Sequence, residues 1–108
     1  MRLPGFIATA ARYGMAFNLE FTARFRKAYR KKTSNQQSQI DNTLQLLATN
    51  PRHNSLETHK VQGAPGIWEC YINEGWRITF EYADDCVLRL RNNCTHDEML
   101  RKKKRSYF

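Results

Sequence analysis

The most regular pattern in the chain is the alternation of apolar and polar positions from residue 67 to residue 91. Along an extended backbone Trp68, Cys70 and Ile72 point one way, and Glu69 and Tyr71 the other. Trp76, Ile78 and Phe80 repeat the pattern, then Cys86, Leu88 and Leu90, which predicts a meander of three short antiparallel strands. Turn length sets the register. A three-residue loop at 73–75 pairs Ile72 with Trp76, Cys70 with Ile78 and Trp68 with Phe80, so that all six side chains share one face. A loop at 83–85 likewise puts Cys86 opposite Tyr82, Leu88 opposite Phe80 and Leu90 opposite Ile78. The other face then carries Tyr71, Arg77 and Arg91 in one row, with Glu69, Thr79 and Arg89 in the next. Two arginines in one row repel unless an anion or a carboxylate sits between them. The row therefore reads as an anion-binding feature, with an ion pair from Arg77 to Glu69 or Glu81 as the structural alternative.

Upstream, residues 16–20 alternate as a strand. Phe21, Phe25, Ala28 and Tyr29 follow at the spacing of one buried helical stripe. Arg24, Arg26, Lys27, Arg30, Lys31 and Lys32 fill the remaining face, a solvated basic surface before anything more specific. Ser34 and Gln37 have capping-box spacing at the start of a second helix. Ile40, Leu44 and Leu47 form its apolar side, and Asn50-Pro51 stops it. The two helices make a hairpin with a short connection. Residues 52–65 read as a loop holding His53, His59 and Lys60, of a length that is more often functional than not. After the last strand, Thr95 and Glu98 again have capping-box spacing and open a short C-terminal helix, with His96 and Asp97 in its first turn. Residues 101–105 are a run of Lys and Arg.

Composition narrows the function classes. A length of 108 residues supports one core. The expected division is an N-terminal extension over 1–15 (Met15 being an alternative start), a domain over 16–100 and a basic C-terminal tail over 101–108. The net charge of +8 favours a polyanionic partner. No apolar run approaches the ~20 residues of a membrane span, so a soluble, cytoplasmic protein is expected. Cys70, Cys86 and Cys94 form no paired motif, and one is left over from any disulfide, which fits a reducing compartment. His53, His59 and His96 match no zinc spacing. Neither metal nor cofactor is expected.

The order strand, helical hairpin, three-stranded meander resembles the RelE/ParE toxin superfamily of type II toxin–antitoxin systems. The likeness is carried by Asn50-Pro-Arg-His, Thr58-His-Lys, Gly66-Ile-Trp-Glu, Trp76-Arg-Ile-Thr-Phe-Glu and the segment from Leu90-Arg-Asn to Thr95-His-Asp-Glu. It spans roughly residues 16–100 and is nearer to the RelE and YafQ-like messenger-RNA interferases than to the ParE gyrase poisons. The resemblance implies an α+β, RelE-like fold: an N-terminal strand, a helical hairpin on a small antiparallel sheet, and a short C-terminal helix. It also implies cleavage of mRNA on the ribosome, inhibition of translation and silencing by a cognate antitoxin. Carried over by position, His59, Lys60, Arg77 and His96 fall where such interferases keep functional groups, and Asp97 is a weaker candidate. Interferases of the RelE type often use a tyrosine after the last strand. None follows Leu90 here until Tyr107, and Cys94 stands where a small glycine is usual, so a histidine-based mechanism is implied instead.

Metal-independent RNA cleavage needs a base for the 2′-hydroxyl, an acid for the 5′-oxygen and cations for the crowded phosphorane. Histidine can fill either proton role near neutral pH. The expected catalytic set is His96 as acid or base, His59 as second proton carrier and Arg77 as phosphate clamp. Lys60, Arg91, Tyr71 and Arg89 are the expected RNA-binding residues. The competing class is non-enzymatic: a ParE-like toxin that inhibits DNA gyrase, or a domain that binds RNA or the ribosome without cutting. A binder needs charge but no proton carrier.

Overall fold

The computed structural model describes residues 17–95, in which five strands form a single sheet. They are β1 (Asn18–Phe21), β2 (His59–Lys60), β3 (Trp68–Asn73), β4 (Trp76–Asp84) and β5 (Val87–Thr95), in the spatial order β1-β5-β4-β3-β2. Two helices, α1 (Ala23–Arg30) and α2 (Ser34–Thr49), pack on one face. The expected extension over 1–15, the C-terminal helix with His96 and Asp97, and the tail over 101–108 lie outside the described residues.

The fold class is the one expected, but the sheet is mixed, because β1 runs parallel to β5. The pairing sets Leu19 beside Leu88 and Phe21 beside Leu90, all four buried, and Glu20 beside Arg89. Phe21 thus closes β1 and does not begin the helix. Thr22 caps α1: its hydroxyl accepts from the Phe25 amide at 3.2 Å and donates to the Leu90 carbonyl at 2.8 Å. One side chain therefore ties the helix start to the interior strand β5. Phe25 and Tyr29 are buried as the stripe requires. The second capping box is one residue earlier than expected. Thr33 Oγ1 accepts from the Gln36 amide, and Gln36 Oε1 accepts from the Thr33 amide. Gln37 instead donates to the Tyr29 carbonyl at 3.0 Å. Ile40, Leu44 and Leu47 are fully buried, and Asn50 ends the helix.

In the first hairpin Trp68 faces Phe80 and Cys70 faces Ile78, as the apolar pattern dictates. Asn73, however, and not Ile72, faces Trp76, so Ile72 sits in a bulge and the turn is the two residues Glu74 and Gly75. The Asn73 side chain accepts from the Gly75 amide at 3.0 Å, a local bond that favours the tight turn. The second turn is also two residues, Asp85 and Cys86, with Asp84 facing Val87. Tyr82 then meets Leu88 and Phe80 meets Leu90, a slip of two from the expected register. A slip of two leaves every side chain on its own face, so hydrophobicity alone does not distinguish the two. A further bulge makes Arg91 the extra residue between Leu90 and Asn92. Cys94, not Arg91, stands opposite Arg77, and Arg89 stands opposite Glu81.

Residues 52–65 are more ordered than a loop. A 3-10 turn at Asn54–Leu56 buries Leu56, and β2 adds an antiparallel edge strand to β3. Between them Glu57 has φ 47°, a left-handed conformation that a residue with a side chain adopts only against a steric cost.

Candidate functional site

The site is assembled where β2 meets β3. His59 faces Glu69 and Lys60 faces Trp68. Successive side chains of a strand leave opposite faces. His59 therefore joins the polar face and Lys60 the apolar one, where its Nζ lies 5.6 Å from the Trp68 ring centre. The two adjacent residues expected to act together are separated by the sheet.

The His59 side chain is about half exposed and is held at both ring nitrogens. Nδ1 lies 2.8 Å from the Glu57 carbonyl, and Nε2 lies 2.8 Å from Glu69 Oε1. A carbonyl has no proton to give, so Nδ1 donates. The left-handed turn at Glu57 is what aims that carbonyl at the ring. Nε2 is thereby aimed at the Glu69 carboxylate. Glu69 is buried, and its other oxygen, Oε2, has no hydrogen-bond partner among the described residues.

Arg77 completes the group. Its guanidinium carbon lies 3.6 Å from the Tyr71 ring centre, a close cation–π stack. Nη1 donates to the carbonyls of Glu74 at 2.7 Å and Asn73 at 3.3 Å, which locks the arginine onto the β3–β4 turn. Nε stands 3.8 Å from Glu69 Oε1, an ion pair too long for a hydrogen bond. Arg77 is itself buried. The Tyr71 ring meets the His59 ring edge-on, with centres 6.2 Å apart. His59, Glu69, Tyr71 and Arg77 thus form one connected cluster of imidazole, carboxylate, aromatic ring and buried cation.

Arg89 and Arg91 are elsewhere. Arg89 is hydrogen-bonded to Glu20 and lies 3.6 Å from Glu81, while Arg91 Nη1 is 2.9 Å from the same Glu81 oxygen. The Glu20 hydrogen bond holds the Arg89 guanidinium above its ordinary pKa. The Glu81 carboxylate thus sits between Arg89 and Arg91 and offsets their mutual repulsion. His96 is outside the described residues; Thr95, the residue before it, faces Trp76 one step from the Arg77–Cys94 pair.

Glu69 and Glu57 are the participants that sequence reasoning missed. Glu69 was legible only as a partner for Arg77, because the two-residue strand that brings His59 alongside it carries no periodic signal. No group of three or more His, Cys, Asp or Glu side chains arranged to hold a metal ion occurs among the described residues.

With this geometry in view, the fold is that of the RelE-type toxins. The chain is similar to YafQ from E. coli (TM-score 0.64, 17% identity, 77% of this chain and 97% of that one). It is similar too to the archaeal RelE–RelB complex from Pyrococcus horikoshii (TM-score 0.61, 12% identity, 75% and 96%) and to a YoeB/ParE toxin from Agrobacterium tumefaciens (0.61, 14%, 72% and 96%). At such identities the likeness is one of fold. No protein-family model matches the sequence, and no curated protein does.

Proposed function

We propose that the protein is the toxin of a type II toxin–antitoxin system, a metal-independent endoribonuclease that cuts mRNA on the ribosome in the cytoplasm. The observation that carries this reading is the 2.8 Å contact between His59 Nε2 and Glu69 Oε1, on a RelE-type fold with a net charge of +8. A domain that only bound gyrase or the ribosome would need the charge but not the dyad.

In the reaction the 2′-oxygen attacks phosphorus, its proton passing to His96. The bond from phosphorus to the 5′-oxygen breaks as His59 Nε2–H protonates that leaving oxygen. The products are a 2′,3′-cyclic phosphate and a 5′-hydroxyl. Glu69 and the Glu57 carbonyl orient the His59 ring. Arg77, buried beneath Tyr71, supplies fixed positive charge near the developing phosphorane without reorganisation. Its role is thus electrostatic support and positioning of Tyr71, more than a direct clamp. Arg89 and Arg91, already engaged with carboxylates, contribute only to the general field.

A cognate antitoxin is the second partner. The E. coli DinJ–YafQ toxin–antitoxin complex and the archaeal RelE–RelB complex each contain a chain with this fold, and the exposed basic side of α1 suits an acidic segment. The test is primer extension on a translated message with purified toxin. Ribosome-dependent cuts ending in a cyclic phosphate and lost in His59→Ala are expected. Inhibition of supercoiling without cuts would assign the protein to the gyrase poisons instead.

A further inference from the structure

On the other face of the sheet from His59 lies a cleft of about 330 Å³ lined by Arg52, His53, Asn54, Glu57, Trp68 and Tyr82 among others. That is the lower end of the size range of small-molecule sites. Its floor is aromatic. The Trp68 and Tyr82 rings meet at 86° with centres 5.4 Å apart, and Tyr82 is 38% exposed, so the two rings form an open corner. A flat ring entering the corner stacks on one wall and meets the edge of the other. Its rim is cationic. Lys60 already lies over the Trp68 ring. Arg52 has no carboxylate partner among the described residues, and its charge acts on the Tyr82 hydroxyl, opposing the upward push of burial on that group. His53 Nδ1 accepts from the Ser55 amide at 3.2 Å, which puts the ring proton on Nε2 as a further donor. One carboxylate, Glu57, stands among these groups.

We propose that this cleft is a second RNA subsite that holds one nucleotide of the strand being cut, its base in the Trp68–Tyr82 corner and its phosphate on Arg52 and Lys60. Aromatic stacking beside unpaired cations is the arrangement that single-stranded nucleic acid uses. Glu57 gives the base preference: a carboxylate accepts from the amino groups of guanine, adenine or cytosine, and uracil has none. The two sites are linked at one point. Glu57 turns its carbonyl to His59 and also lines the cleft, and His59 and Lys60 are neighbours on a two-residue edge strand. A single strand laid over that edge meets both faces. The subsite rests on the reading of RNA as substrate, but not on cleavage itself.

The experiment uses the full chain, labelled with nitrogen-15 and titrated with a non-cleavable 2′-O-methyl hexanucleotide and separately with 5′-mononucleotides. The expected result is a shift of the Trp68 indole and of the amides of residues 52–54, with GMP binding more tightly than UMP. Arg52→Gln, at an exposed position, should weaken hexanucleotide binding about tenfold and reduce its salt dependence by roughly one phosphate contact. Glu57→Gln should narrow the GMP–UMP difference. Shifts confined to His59 and Tyr71, unchanged affinity in Arg52→Gln, or occupation of the cleft by an acidic peptide and not by RNA would each overturn the proposal. Because the oligonucleotide cannot be cut, a protein that binds it in the cleft yet never cleaves message refutes the nuclease reading alone. A protein that cleaves message with an unshifted cleft refutes the subsite alone.

Discussion

Glu69 Oε1 stands 2.8 Å from His59 Nε2, and the pairing of the two-residue β2 with β3 sets the two residues opposite each other. If that pair holds the proton delivered to the leaving oxygen, its members act as a unit. Removing a general acid costs about 10²–10⁴ in rate, so His59→Ala should fall in that range. Glu69→Gln keeps the shape but not the charge, and a loss of roughly 10–10²-fold is expected from second-sphere roles of this kind. The double variant should be no slower than His59→Ala, since groups that act together are not additive. Single-turnover cleavage on programmed ribosomes measures all three, and multiplicative losses would break the dyad apart.

Arg77 makes a separate prediction, on stability. It is buried, stacks at 3.6 Å on Tyr71 and is the cation beside the buried Glu69 carboxylate. Arg77→Ala strands that carboxylate and should cost about 3–5 kcal/mol by the precedent of broken buried pairs. Arg77→Lys restores charge but neither the planar stack nor the paired bonds to the Asn73 and Glu74 carbonyls, so it should recover only part of the loss. Urea unfolding reads both. A change within the ~1 kcal/mol typical of surface pairs would mean the cluster is not a structural unit.

The fold was legible where periodicity and burial speak together. The pairings of Trp68 with Phe80 and Cys70 with Ile78 follow from alternation alone. So does the α2 stripe of Ile40, Leu44 and Leu47. What was not legible depends on single hydrogen bonds or on even-numbered register. The slip of two in the second hairpin preserves both faces, and it moves Arg91 away from Arg77. The candidate site was legible in its residue types, His59, Tyr71 and Arg77, but not in its wiring. His59 and Lys60 look like one basic pair in sequence, and a two-residue strand sends them to opposite faces. Glu69, the group that engages His59, reads in sequence as an ordinary outward strand residue.

Thr22 should matter more than a surface threonine. Its hydroxyl caps α1 and bonds to the Leu90 carbonyl in β5, joining the helix to an interior strand of the sheet. Thr22→Ala removes both bonds and should cost roughly 1–2 kcal/mol, the upper part of the range for lost caps. Thr22→Ser keeps the oxygen and should restore most of it. Denaturant midpoints of the three proteins decide the matter; an equal loss in the serine variant would assign the effect to the methyl group and its packing.

Cys70 gives a pH prediction. Burial first, and the charge of neighbouring Glu69 second, push its thiol up to about 12. The unfolded chain sheds this proton near pH 8.5, the ordinary thiol value, while the folded chain keeps it until about 12. Between these points the native state binds more protons than the unfolded state, so stability falls as pH rises, by up to about 1.4 kcal/mol per pH unit from this group. Below pH 8 the thiol is protonated in both states and contributes no slope. Tyr82, also raised by burial, adds in the same direction at higher pH. Cys70→Ala isolates the cysteine: less stable at pH 7 because a buried side chain is trimmed, it should lose less further stability than the parent between pH 9 and 11. Equal slopes for the two proteins would show that the thiolate is accommodated in the folded core. At pH 8 a thiol reagent should label exposed Cys86 quickly and Cys70 only on unfolding, since the reactive thiolate of Cys70 is absent from the native state.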